Sequence, residues 1–107
     1  MKYNNLQYIK YNKVKLKKDS KKVTEIFKEF FEDTKGTIKG LKGYAILKNI
    51  EDDKETIVLT FWETREDMEN YYSNDNKILS NLVDKVKPMF EQMPERSDYK
   101  IAVFEID

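Results

Sequence analysis

Ile57-Val58-Leu59-Thr60-Phe61-Trp62-Glu63-Thr64-Arg65-Glu66-Asp67-Met68 changes from the pattern of a strand to that of a helix within a few residues. Its first six residues are β-branched, apolar or aromatic, which predicts a strand covered on both faces. Thr64 then offers a hydroxyl to cap a helix. Asp67, three places on, completes a capping box by reaching back to the cap N–H. Trp62 is thereby expected at a strand end beside a helix N-terminus, where ligand pockets commonly open.

Upstream of this stretch, Gly40-Leu41-Lys42-Gly43 reads as a turn and Tyr44 to Leu47 as a short apolar strand. The compact polar segment from Asn49 to Glu55 then predicts a hairpin joining two antiparallel strands. Further back, Asp19-Ser20 is a cap, and Val23, Ile26, Phe27, Phe30 and Phe31 recur at the spacing of a helix with one buried stripe, ended by Lys35-Gly36. Leu6 to Leu16 alternates, with Leu6, Tyr8, Asn12, Val14 and Leu16 on one face and Ile9, Tyr11, Lys13 and Lys15 on the other, a first strand. Asn12 is the odd member of its face. A buried amide must find partners, either backbone or water at a bulge, or a ligand that it orients.

Downstream, a short helix is expected to turn Met68, Tyr71 and Tyr72 inward, and Ser73-Asn74-Asp75-Asn76 to stop it and cap the next. Ile78, Leu79, Leu82, Val83 and Val86 predict a second amphipathic helix. Pro88 falls inside the continuing pattern of Met89, Phe90 and Met93, so that helix should kink or restart there. Pro94 to Asp98 reads as a loop, and Tyr99 to Ile106 as a last strand with two apolar faces.

The element order is βαββαβ. With antiparallel pairing this is a ferredoxin-like α+β domain over residues 1–107, its helices covering one face of a four-stranded sheet. The other face would be a large exposed apolar patch, and a symmetric homodimer closed sheet to sheet is the simplest cover.

Composition narrows the chemistry. Lys+Arg and Asp+Glu both number 20, so no net field draws the chain to nucleic acid or an acidic membrane. The eight lysines among the first 22 residues, Glu25, Glu29 and Glu32, and the acidic residues from Glu51 to Glu55 read as solvated charges, since none has the spacing of a metal site. The sequence has no cysteine and no histidine. That removes thiolate nucleophiles, disulfides, imidazole ligands and the familiar hydrolytic triads. The first residues, Met1-Lys2-Tyr3-Asn4-Asn5, lack the apolar core of a signal peptide and no run approaches a membrane span, so a cytoplasmic protein is expected.

Phe61 to Met68 followed by Tyr71-Tyr72-Ser73-Asn74 resembles the "fWes.e.f..w..s" signature of the antibiotic biosynthesis monooxygenase superfamily, whose members are dimeric α/β barrels. Gly40-Leu41-Lys42-Gly43-Tyr44 resembles the "GF.GF" that opens its second strand. The resemblance implies a small-molecule cleft between sheet and helices, used to oxidise polycyclic aromatics without metal or flavin, to degrade haem, or to bind small ligands. In the haem-degrading branch an Asn on the first strand, a Trp in the short helix and a His early in the following helix act together. Asn12 matches the first, Tyr71 stands where the Trp would be, and Asn81 stands where the haem-ligating His would be. An amide cannot replace imidazole on iron, so no cofactor is expected. The resemblance therefore implies first an oxygenase acting on a small aromatic or quinol-like compound. Asn12 would hold the substrate oxygen, Trp62 and Tyr71 would sandwich the ring, and Tyr72 or Asn81 would donate a second hydrogen bond. A haem-binding relative with altered ligation and a non-catalytic small-ligand dimer stand beside it, as does plain core packing for each aromatic.

Overall fold

A computed structural model describes residues 6–73 and 76–106, so Met1 to Asn5, and Asn74 and Asp75 of the expected turn, lie outside the described residues. The elements are β1 (Tyr8–Lys15), α1 (Lys21–Asp33), β2 (Leu41–Lys48), β3 (Glu55–Trp62), α2 (Arg65–Tyr71), α3 (Lys77–Val86), a 3₁₀ turn (Lys87–Met89) and β4 (Glu95–Lys100). The strands form one sheet in the order β2-β3-β1-β4, and every neighbouring pair is antiparallel. This is the ferredoxin-like arrangement, with β1 and β3 central.

Alternation along β3 decides which residues meet the helices. Thr56, Val58, Thr60 and Trp62 are buried on one face, while Ile57, Leu59 and Phe61 are half-buried on the other. Val14, Leu16 and Val58 of the sheet pack against Val23, Phe27 and Phe31 of α1 and Leu82 and Val86 of α3. A second cluster, Trp62, Met68 and Tyr71, lies where β3 passes into α2. Both clusters lie on the helix side, and the two-sided cover expected for β3 is met there alone among the described residues.

At the junction, the Thr64 hydroxyl accepts the Asp67 N–H at 3.1 Å, as the sequence predicts. The Asp67 carboxylate does not complete the box. It lies against Gly40, whose φ of +80° places the peptide so close that a Cβ there would fall on that side chain. At α1 the cap differs too: Ser20 makes no side-chain cap bond, and Asp19 Oδ1 accepts the Lys21 N–H at 3.0 Å. Pro88 stands in the 3₁₀ turn that closes α3, where its missing N–H is tolerated.

The last strand is displaced from its expected position. It runs from Glu95 to Lys100 rather than from Tyr99 to Ile106, and the stretch expected as a loop supplies most of it. The cause lies in its neighbour. Lys13 on β1 stands opposite Glu95 and Lys10 opposite Asp98, and the Lys10 ammonium reaches the Asp98 carboxylate at 2.7 Å. An edge strand tolerates such charge, whereas an interior one would not. Val103 and Ile106, expected inside the strand, are 86% and 61% exposed.

Candidate functional site

Asn12 leads to the site. It lies on central β1, opposite Val58 on one side and Arg96 on the other, and is buried among apolar neighbours. Its Nδ2 donates to the Val58 carbonyl at 3.0 Å and to the Tyr72 hydroxyl at 3.4 Å. A carbonyl only accepts, which fixes the nitrogen as the atom facing it.

Tyr71 and Tyr72 arrive together at the C-terminal end of α2. The Tyr72 hydroxyl lies 3.0 Å from Thr60 Oγ1, which in turn accepts the Trp62 indole N–H at 2.8 Å. Counting hydrogens limits this chain to two arrangements, since either hydroxyl can donate to the other. Trp62 and Asn12 can only donate through the atoms involved, so Thr60 and Tyr72 share one bond and have one hydroxyl hydrogen left over. Thr60 is fully buried and meets no further acceptor among the described residues. If it donates to Tyr72, the spare hydrogen belongs to Tyr72, whose oxygen then accepts twice and whose O–H is free to point elsewhere. The Tyr72 ring also has the Lys10 ammonium 4.8 Å and the Arg96 guanidinium 5.2 Å from its centre. Burial, the largest influence, raises its pKa above the ordinary tyrosine value.

Tyr71 is 4% exposed, and its buried hydroxyl has no hydrogen-bond partner among the described residues. Burial pushes its pKa well above the ordinary value, with the neighbouring Tyr72 adding to the effect. Both phenols therefore hold their protons at neutral pH and keep a hydrogen to donate.

Asn12, Tyr71 and Tyr72 line one cavity between the sheet and helices α1 and α3, with Val14, Val58 and Val86 among its apolar walls. Its volume is about 40 Å³. Tyr72, Leu79, Val83 and Arg96 also border a second space of about 210 Å³, reaching Asp84 and Met93. The site is thus a small chamber that shares Tyr72, Leu79, Val83 and Arg96 with a larger, more open space, its vestibule.

The family profile for antibiotic biosynthesis monooxygenases matches residues 8–76, a span that holds Asn12, Thr60, Trp62, Tyr71 and Tyr72. The chain belongs to the antibiotic biosynthesis monooxygenase family. Solved structures agree on the fold. SnoaB, a cofactor-independent oxygenase from Streptomyces nogalater whose structure is that of a mutant form, superposes with a TM-score of 0.75 at 7% identity, over 92% of this chain and 96% of SnoaB. A Nitrosomonas europaea protein provisionally called an antibiotic biosynthesis monooxygenase gives 0.75 at 15% identity, over 92% of each chain. Another N. europaea protein, of unknown function, gives 0.74 at 8% identity over 97% of each. No curated protein matches the sequence.

Family membership puts the expected residues in context. Asn12, Tyr71 and Tyr72 converge on the chamber. Trp62 does not reach it: the indole is fully buried, and its ring centre stands 5.2 Å from that of Tyr71, so no slot for a substrate ring separates them. Trp62 supports the site through Thr60 instead. Asn81 is also elsewhere, exposed on α3 in a groove against α1 with Glu29, Phe30 and Lys85, and so meets neither Asn12 nor the tyrosines. The residues do not fit haem. The chamber is smaller than a cavity for a single benzene ring, about 150 Å³, and Asn81 offers it no ligand atom.

Sequence reasoning missed Thr60 and Arg96. Thr60 shares a face with Trp62 two residues on, a signal readable from strand periodicity. Arg96 carried no signal, because its place depends on where β4 pairs.

Proposed function

We propose that the protein is a monooxygenase that oxidises a small phenolic or quinol-like compound with dioxygen, without metal or flavin. We propose further that it works as a homodimer closed through the open sheet faces. The observation that carries the reading is the pair of proton-holding phenols, Tyr71 and Tyr72, lining one cavity with the Asn12 amide, which bonds Tyr72, beside a second space large enough for one aromatic ring. Family membership supports it, as does the likeness in fold to SnoaB, described as a cofactor-independent oxygenase.

The chemistry asks little of the protein. A phenol held in the vestibule ionises more readily beside the Arg96 guanidinium, which stabilises phenolate. Phenolate is electron-rich enough to reduce dioxygen by one electron, and recombination of the resulting pair forms a carbon–oxygen bond. Loss of water completes a balanced reaction in which phenol and dioxygen give quinone and water, with no external reductant. Tyr72, when Thr60 donates to its oxygen, has its own hydrogen free to stabilise the oxygen on which charge develops.

Dioxygen consumption measured across a panel of simple phenols and quinols tests the proposal. Turnover with at least one compound, lost in Asn12→Ala while the fold persists, is the expected result. Ligand-induced thermal stabilisation with no dioxygen uptake across the panel would make the protein a binding module instead.

A further inference from the structure

The two spaces differ in what they can hold. An apolar cavity of about 150 Å³ accepts benzene. The vestibule, at about 210 Å³, exceeds that, and the inner chamber, at about 40 Å³, falls far short. A chamber of that size admits a water molecule, a noble-gas atom or a diatomic gas. Most of its surface is apolar, from Val14, Phe27, Phe31, Val58 and Val86, with Asn12, Tyr71, Tyr72 and Arg96 supplying the polar part, and a mostly apolar surface favours the apolar guests.

One of its polar groups, unlike Asn12 and Tyr72, is left unmatched. The Tyr71 hydroxyl, buried and without a partner among the described residues, belongs to a side chain lining this chamber. A buried donor left unmatched costs about 1–3 kcal/mol, so a guest that gains negative charge would give it a purpose. Water can be held only at the polar part of the lining, from Asn12, Tyr71, Tyr72 and Arg96, because it needs two or more polar partners and the rest of the surface offers none.

We infer that the inner chamber is a dioxygen subsite and that the organic substrate stays in the vestibule, the two meeting across Tyr72, Leu79 and Val83. The inference rests on the oxygenase reading, which it deepens by separating the places of the two reactants. Tyr71 donates its hydrogen bond to the oxygen species as it is reduced, and Tyr72, bordering both spaces, donates to whichever oxygen carries charge.

Xenon, an apolar atom of suitable size, is the probe. Crystals of the whole chain under xenon pressure should show one site bounded by Val58, Val86 and Tyr71, and Val58→Ile and Val86→Ile, each filling the chamber by one methylene, should each weaken it. Xenon absent from the chamber, or an ordered water that xenon does not displace, overturns the inference. With a phenol that is turned over, the same variants should raise the KM for dioxygen about tenfold and leave the KM for the phenol within about twofold. Equal movement of both constants assigns the chamber to the organic substrate and overturns the inference. Xenon in the chamber with no phenol oxidised supports the gas-sized site while removing the oxygenase reading, so the two failures are distinct.

Discussion

The Trp62 indole N–H donates to the hydroxyl of Thr60, two residues back on the same face of β3, at 2.8 Å. This bond ties a fully buried indole to the site, because the same hydroxyl meets Tyr72. Thr60→Val keeps the shape and removes the acceptor, leaving the indole N–H buried and unmatched. Destabilisation of about 1–3 kcal/mol is expected in urea unfolding. Thr60→Ser, which retains the hydroxyl, should lose less, and equal stability of native and Thr60→Val would deny the bond any structural role.

Tyr71→Phe should behave in the opposite way. Removing a hydroxyl that is buried without a partner among the described residues relieves a desolvation cost, so stability should stay level or rise by about 1 kcal/mol. A simultaneous fall in kcat for dioxygen uptake would mark the hydroxyl as retained for chemistry. A destabilised variant would show that it has a partner in solution.

Alkaline pH should weaken the fold. Burial raises the pKa of Tyr71 in the folded chain, whereas an unfolded tyrosine ionises near pH 10. A group with a raised folded pKa contributes stability fully below its unfolded pKa and loses it as pH climbs towards the folded one. The melting temperature should therefore decline above about pH 10, and more shallowly in Tyr71→Phe. Identical slopes for the two proteins would contradict the burial of this phenol.

Gly40→Ala should be far more damaging than Gly36→Ala. Both glycines have φ near +80°, so each substitution carries backbone strain of roughly 1–2 kcal/mol. Only at Gly40 does the new Cβ also meet the Asp67 side chain, while nothing stands within 4 Å at Gly36. The difference between the two in denaturant midpoint isolates that contact. It should come with weaker substrate binding, since Asp67 belongs to the first turn of the helix that carries Tyr71.

Leu59→Glu tests the proposed dimer. Leu59 stands between Ile57 and Phe61 on the open face of β3, and a carboxylate there would be desolvated by a second sheet. Sedimentation should find the native chain dimeric and the variant monomeric but folded. A monomeric native chain would remove the sheet-to-sheet assembly.

Periodicity was enough to place β1, α1, the β2–β3 hairpin, α2 and α3, because each buries one regular stripe whose spacing is local to the chain. The Thr64 cap was legible for the same reason, as was Asn12, an amide out of keeping with its face, whereas the turn read over Gly40 to Gly43 ends at Gly40 and β2 already begins at Leu41. Pairing was not legible in this way. The stretch from Glu95 to Lys100 looks like a loop when read alone and becomes an edge strand only because β1 presents lysines opposite its acidic residues. That pairing brings Arg96 to the vestibule. Nor could composition tell an indole facing a substrate from one sealed in the core: Trp62 and Asn81 each suited a site by residue type. The sequence by itself determined the element order, every element's place but that of the last strand, and the amide at the centre of β1. Tertiary structure alone decided that the helices leave a chamber of about 40 Å³ beside a space of about 210 Å³, because a cavity is what remains after distant side chains have packed against one another.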